Sequence, residues 1–219
     1  IFFSLFLFYV MGIVASQEVF SVDSINRTLS PAGSRYYLAH PYEIAYGSDD
    51  SLYITEKTGR VLVVSAITGH SRIILDYRNN IFLNIARGAG GVATSIGQNG
   101  MMGLALHKDF KAAVPVNYIY IAYAYNSSSA RISRFTYNTT TGQLESELQL
   151  VNGIPAGNDH SSGRLVYGPD DKLYYSCGDL GANQFANKCN PIRAQDLPTS
   201  AEIGSANYTK YQGKILRIN

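Results

Sequence analysis

The sequence predicts an all-β fold assembled from repeated four-stranded units, on three observations. Short β-rich runs alternate with Gly, Asp, Asn and Ser turns, and no convincing amphipathic helix interrupts them. The runs recur as similar units, roughly fifty to sixty residues apart. The composition agrees: Gly 20 and Tyr 17 suit many turns and pleated surfaces.

In the first unit, Glu43 to Gly47 leads through Ser48-Asp49-Asp50 into Ser51 to Glu56. Lys57-Thr58-Gly59 reads as a hairpin turn into Arg60 to Val64, and Thr68-Gly69 turns into Ser71 to Leu75. In the second, Leu104 to Phe110 leads to Tyr118 to Tyr123, and Arg131 to Tyr137 follows, closed by Thr141-Gly142. The third echoes the first. Leu165 to Tyr174 repeats the pattern of Ile44 to Tyr53, and Gly213 to Ile218 repeats that of Gly59 to Val64. Four-stranded units in series indicate a β-propeller, whose ring closure hides blade edges. About two and a half to three blades are legible before Asn219. The chain therefore reads as the N-terminal part of a longer protein, in preference to an open half-ring with unpaired edges.

The ends carry a different signal. Residues Ile1 to Ala15 are almost wholly apolar, and Val14-Ala15-Ser16 has the small residues of a cleavage site. Residues 1–16 are expected to be a secretory signal peptide, residues 17–40 a lead-in segment, and residues 41–219 the partial propeller domain. A starting Met and a basic leader are absent, so the N-terminus reads as clipped. No later stretch is long enough to cross a membrane. The net charge of +2 comes with no basic block, which argues against nucleic acid as a partner. Sequons at Asn26, Asn126, Asn138 and Asn207 permit N-glycosylation and fit an extracellular protein. Cys177 and Cys189 could close a small disulfide loop in an oxidising compartment, or stand as two thiols; they lack the spacing of a zinc site.

The chemistry concentrates in Gly157-Asn158-Asp159-His160-Ser161-Ser162-Gly163-Arg164-Leu165. A carboxylate and an imidazole sit side by side before a strand, and Asp179 follows the next strand. A base at one strand mouth and an acid at the far end of the hairpin could meet at one rim of the fold. His107 reads as a structural residue of a recurring blade segment, and His40 and His70 as surface residues. Asp49-Asp50 and Asp170-Asp171 recur at one repeat position and read as blade turns. Gly88 to Gly91 follows no strand-to-helix pattern, so a phosphate cradle is not indicated.

These motifs resemble the glucose/sorbosone dehydrogenase family of soluble quinoproteins. The matching pieces are Gly97-Gln98-Asn99-Gly100-Met101-Met102-Gly103-Leu104-Ala105-Leu106-His107-Lys108-Asp109-Phe110, Asp159 to Leu165, Gly168 to Tyr175, Gly178 to Gln184 and Tyr211 to Asn219. The resemblance implies a six-bladed propeller in the complete protein, with pyrroloquinoline quinone (PQQ) and a calcium ion over its axis. It implies oxidation of an aldose at the anomeric carbon to a lactone, with an external electron acceptor, and is compatible with a homodimer. By the same resemblance His160 is the general base and Asp179 its supporting acid, while Gln98, Asp159 and Gln184 contact the sugar. The residues that clamp the quinone carboxylates and ligate calcium are expected beyond Asn219, so no metal ligand is expected in this chain. A different class of function, a non-catalytic extracellular propeller that binds a protein or glycan, uses the same fold. Basic rim residues in later blades would discriminate the two.

Overall fold

The structure, a computed structural model, describes residues 38–91 and 93–219. The signal peptide over 1–16, most of the 17–40 segment and the Asn26 sequon lie outside these residues. Strands β1 (Pro41–Tyr46), β2 (Ser51–Glu56), β3 (Arg60–Ser65) and β4 (Ser71–Asp76) form an antiparallel meander in that order. A small hairpin follows, β5 (Ile85–Arg87) with β6 (Ala93–Ile96). The second meander is β7 (Met101–Leu106), β8 (Tyr118–Ala124), β9 (Ser129–Asn138) and β10 (Gln143–Pro155). The third sheet has three strands, β11 (Ser162–Tyr167), β12 (Leu173–Cys177) and β13 (Ile215–Ile218). A short helix, α1 (Ser200–Gly204), lies in the long loop before β13.

The repeat seen in the sequence is a repeat of turn chemistry. After β1, the Gly47 amide donates to Ser51 O at 2.8 Å and the Tyr53 hydroxyl to Asp49 Oδ2 at 3.0 Å. After β11, Gly168 donates to Lys172 O at 2.7 Å and the Tyr174 hydroxyl to Asp170 Oδ2 at 2.8 Å. The acidic pairs close blade turns, because a short carboxylate can bond the chain a few residues on.

The sheets stack like blades, and the middle one is buried on both faces. Along β8, Ile119, Ile121 and Tyr123 join the core against the first blade, together with Tyr53, Val61 and Ile74. Tyr120, Ala122 and Ala124 point the other way, into the core against Leu165, Leu173 and Tyr175 of the third blade. A strand sends alternate side chains to opposite faces, so an unbroken apolar run marks a strand packed on two sides. Each of the large aliphatic side chains contributes about 1.5–3 kcal/mol by leaving water.

One carboxylate binds the seam between the first two blades. β10 slips register between Glu145 and Leu148, with Ser146 at φ 54, and this bulge contains Glu147. Glu147 accepts hydrogen bonds from Tyr77 (2.5 Å), Ser133 (2.6 Å) and the Tyr123 hydroxyl. Burial pushes its carboxyl up, but the three hydroxyls outweigh burial and hold it below its ordinary value.

Of the two options for the cysteine pair, the structure has two thiols: Cys177 and Cys189 are both free. The pleat of β12 commits Cys177 to the core, while Cys189 stays exposed in the following loop. Burial pushes the Cys177 thiol up to about 12.

Two outcomes follow from this packing. Glu147→Leu removes the acceptor that three hydroxyls share, and a urea midpoint is expected to show a loss of about 1–3 kcal/mol at neutral pH. A depressed folded pKa gives stability that is full above the ordinary carboxylate range and is lost as pH falls through the folded value, so this difference should narrow in acid. Without reductant, a thiol reagent should titrate Cys189 alone in the native protein and both thiols after denaturation. No reactive thiol in denaturant would restore the disulfide.

Candidate functional site

The third blade's first hairpin brings the chemistry together. β11 and β12 are antiparallel, with Ser162 opposite Cys177. Residues two before Ser162 and two after Cys177 therefore share one end of the hairpin. His160 Nδ1 lies 2.9 Å from Asp179 Oδ1. Burial pushes the Asp179 carboxyl up, but bonds from His160 and from the Gly181 amide at 3.0 Å hold it below its ordinary value. With Asp179 ionised, that bond places a proton on Nδ1, so the neutral ring keeps its lone pair on Nε2.

A second loop fixes the backbone of the same histidine. Gln98 bridges two neighbours: its Oε1 accepts from the His160 amide at 2.9 Å, and its Nε2 donates to Asp159 Oδ1 at 2.9 Å. Asp159 Oδ1 also accepts from the His160 amide at 3.0 Å. The Gln98 amide donates to Asn158 O at 2.9 Å. His160 has φ 42 and Ser162 φ 62, in the left-handed region that costs a side-chain-bearing residue energy. Buried Ser161 clasps the loop, donating to Gly157 O at 2.6 Å and accepting from Gly157 N at 3.0 Å.

Asn99 and Gly100 lie in the bent segment that leads into β7, with Gly100 at φ 101. The Asn99 carboxamide, buried, accepts from Asn84 N at 3.0 Å.

A cleft of about 540 Å³ borders this network. Gln98, Asn158, Asp159, Leu180, Phe185, Asn187 and Asn190 are among the residues that line it. His160 and Gln184 are not, and Asp179 borders a smaller neighbouring cleft. Of the residues singled out from the sequence, Gln98, Asp159, His160 and Asp179 are joined by hydrogen bonds. Gln184 sits exposed in the loop after Asp179, its amide bonded to Gly181 O at 3.1 Å, and its side chain stays outside the network. Sequence reasoning missed the cleft's Asn158, Asn187 and Asn190 and the exposed Phe185. The asparagines are common turn residues; Phe185, an aromatic inside a polar loop, was the readable signal. Asn126 and Asn207 are exposed, Asn138 half-buried, and each caps its own turn through its carboxamide oxygen.

Gly178 is required where it stands: a Cβ there would lie 1.6 Å from His160 O. Gly178→Ala is expected to cost about 1–3 kcal/mol in a denaturant melt. An unchanged midpoint would mean that the loop carrying His160 can yield freely.

The chain matches the family model described as Glucose / Sorbosone dehydrogenase over residues 38–219. It is 36% identical over 192 residues to quinoprotein glucose dehydrogenase B of Acinetobacter calcoaceticus, covering 83% of this chain and 37% of that protein. Its structure is similar to the PQQ-bound aldose sugar dehydrogenase of Streptomyces coelicolor, with TM-score 0.58 and 25% identity over 83% of this chain and 45% of that one. The apo-form of the soluble aldose sugar dehydrogenase of Escherichia coli gives TM-score 0.53 at 20% identity, over 82% of this chain and 44% of that one. The chain thus spans less than half the length of these relatives. The all-β blades agree with the propeller expected from the repeats. By the match over nearly all of its described residues, the chain belongs to the glucose/sorbosone dehydrogenase family.

Proposed function

We propose that these blades are the proton-handling and sugar-contacting part of a secreted, PQQ-dependent aldose dehydrogenase that forms a lactone. The observation that carries this reading is the 2.9 Å contact between His160 Nδ1 and Asp179, which leaves Nε2 as the basic atom. An aldose becoming a lactone must lose its anomeric hydroxyl proton as the carbon–hydrogen bond breaks, and an imidazole suits that task. Asp179 orients the ring and stabilises the imidazolium that forms. Gln98 and Asp159, at the cleft wall, are placed to hydrogen-bond sugar hydroxyls, whereas Gln184 stays outside that wall. The apolar run at residues 1–15 and the sequons, with Asn126 and Asn207 in exposed turns, support an extracellular location.

The cofactor is a separate matter. PQQ is a tricarboxylate and needs cationic partners, whereas the lining of the 540 Å³ cleft contains no Lys or Arg. Among the described residues no group of three or more His, Cys, Asp or Glu could hold a metal ion. The lining of this cleft does not fit PQQ. On this reading both PQQ and Ca²⁺ are held by other parts of the full-length protein, which passes electrons to an external acceptor.

The test is dye reduction by the full-length protein with aldoses, after addition of PQQ and Ca²⁺. His160→Gln is expected to lower turnover by about 10²–10⁴-fold with an unchanged melting midpoint. Asp179→Asn should lower it about tenfold or more. Wild-type turnover in His160→Gln would sink the assignment of the base. No turnover in the loaded wild type would favour a non-catalytic binding propeller.

A further inference from the structure

Lys57 occupies the turn between β2 and β3 of the first blade, yet its side chain reaches the loop that presents Gln98. Its Nζ donates to Gly97 O at 2.9 Å. Its own carbonyl accepts from the Met101 amide at 3.1 Å, so both ends of the Gly97–Met101 loop are strapped to one residue. Between those anchors, Gln98 binds the His160 amide and Asp159. The same ammonium lies 5.7 Å from the Tyr42 ring centroid. The Tyr42 hydroxyl donates to Ser162 O at 2.6 Å, two residues past His160 on the other side. Lys57 therefore lies against two arms, one ending at the His160 amide and the other at Ser162, two residues further on.

We propose that Lys57 is a positioning residue, which holds Gln98, and through it the His160 loop, in the geometry that base catalysis needs. The role rests on the base assignment above, but its physical content does not depend on turnover. A lysine suits it because its long stem spans from one blade's turn to the next blade's loop, and because an ammonium gives a strong bond to a carbonyl. Burial lowers the Lys57 pKa, in keeping with an ammonium drawn partly out of water. His160 sits at φ 42, a conformation the chain leaves unless its surroundings hold it. Loosening Gly97 would release the Gln98 bond that opposes this relaxation. Small misplacements of a catalytic group can cost about a hundredfold in rate.

The test uses Lys57→Met, which keeps the stem and removes the donor, and Lys57→Arg, which restores one. In the full-length protein, Lys57→Met is expected to lower kcat/KM about 10–100-fold while the melting midpoint holds. Lys57→Arg should recover most of that loss. The second readout is independent of catalysis: the ring Cε1–H resonance of His160, identified by its loss in His160→Gln and followed at one pH. It is expected to move in Lys57→Met and to return in Lys57→Arg. An unmoved resonance in Lys57→Met overturns the proposal whatever the turnover. Should Lys57→Met fail to fold, Lys57→Gln, shorter and uncharged, is read the same way. If the wild type shows no turnover, the catalytic reading fails, and the resonance still decides whether Lys57 positions His160.

Discussion

The close approach of β7 to β11 is the constraint on which the rest of this structure depends. A Cβ on Gly103 would lie 2.0 Å from Gly163 O and 2.7 Å from Leu165 N, so no side chain fits there. On the other side of β7, the Thr55 hydroxyl donates to Met102 O at 2.6 Å and ties the first blade to the same strand. With β7 held between β1 and β11, everything attached to its ends acquires a fixed place. The Gly97–Met101 loop enters β7, and the His160 loop enters β11. The Gln98 bridge is therefore a consequence of how two strands pack, and Gly178 extends the same closeness to β12.

That packing also explains how a strained loop persists. The cores on both faces of the middle blade, and the hydroxyls gathered on Glu147, supply stability away from the cleft. The left-handed His160 and Ser162 draw on it. Strain here is local and its support is distributed, so one loop is strained without loosening the blades.

How much of this could be read in the sequence follows from how local each cause is. The strands of the first blade were legible because their alternation and their Gly-Ser-Asp and Lys-Thr-Gly turns are local. The meeting of His160 and Asp179 was legible too, because a hairpin register set by Ser162 and Cys177 places residues outside it together. β10 was not: its register slips at three places, and most of its side chains are exposed, so no period of two survives. The β5–β6 hairpin hid behind a Gly-rich stretch that serves as its turn. α1 has a capping box, Thr199 with Glu202, that could have been read, but five residues carry no amphipathic pattern. The Cys pair stayed open between a disulfide and two thiols because spacing along the chain says nothing of which sulfur a strand turns inward. Lys57 was read as a turn residue, since its bond to Gly97 depends on how two blades sit against each other.

The molecule contains its own comparison for the reading of His160. His107 also has hydrogen bonds around an imidazole, but they use both nitrogens: Nδ1 accepts from the Asp109 amide at 3.1 Å, and Nε2 faces the Tyr167 hydroxyl at 3.2 Å. Its ring packs between Tyr118 and Tyr167, and its side chain is 14% exposed. Such a histidine has no nitrogen left for a substrate and serves as a joint between blades. His160 is arranged differently. Its Nδ1 is committed to Asp179 at 2.9 Å, while Nε2 has Asp159 Oδ1 at 3.7 Å, too far for a hydrogen bond, and the side chain is 38% exposed. An oxygen entering from solvent could lie between Nε2 and that carboxylate and bond to both. One nitrogen fixed, the other reachable, and an acceptor beside it is an arrangement that suits the proposed proton abstraction from a hydroxyl.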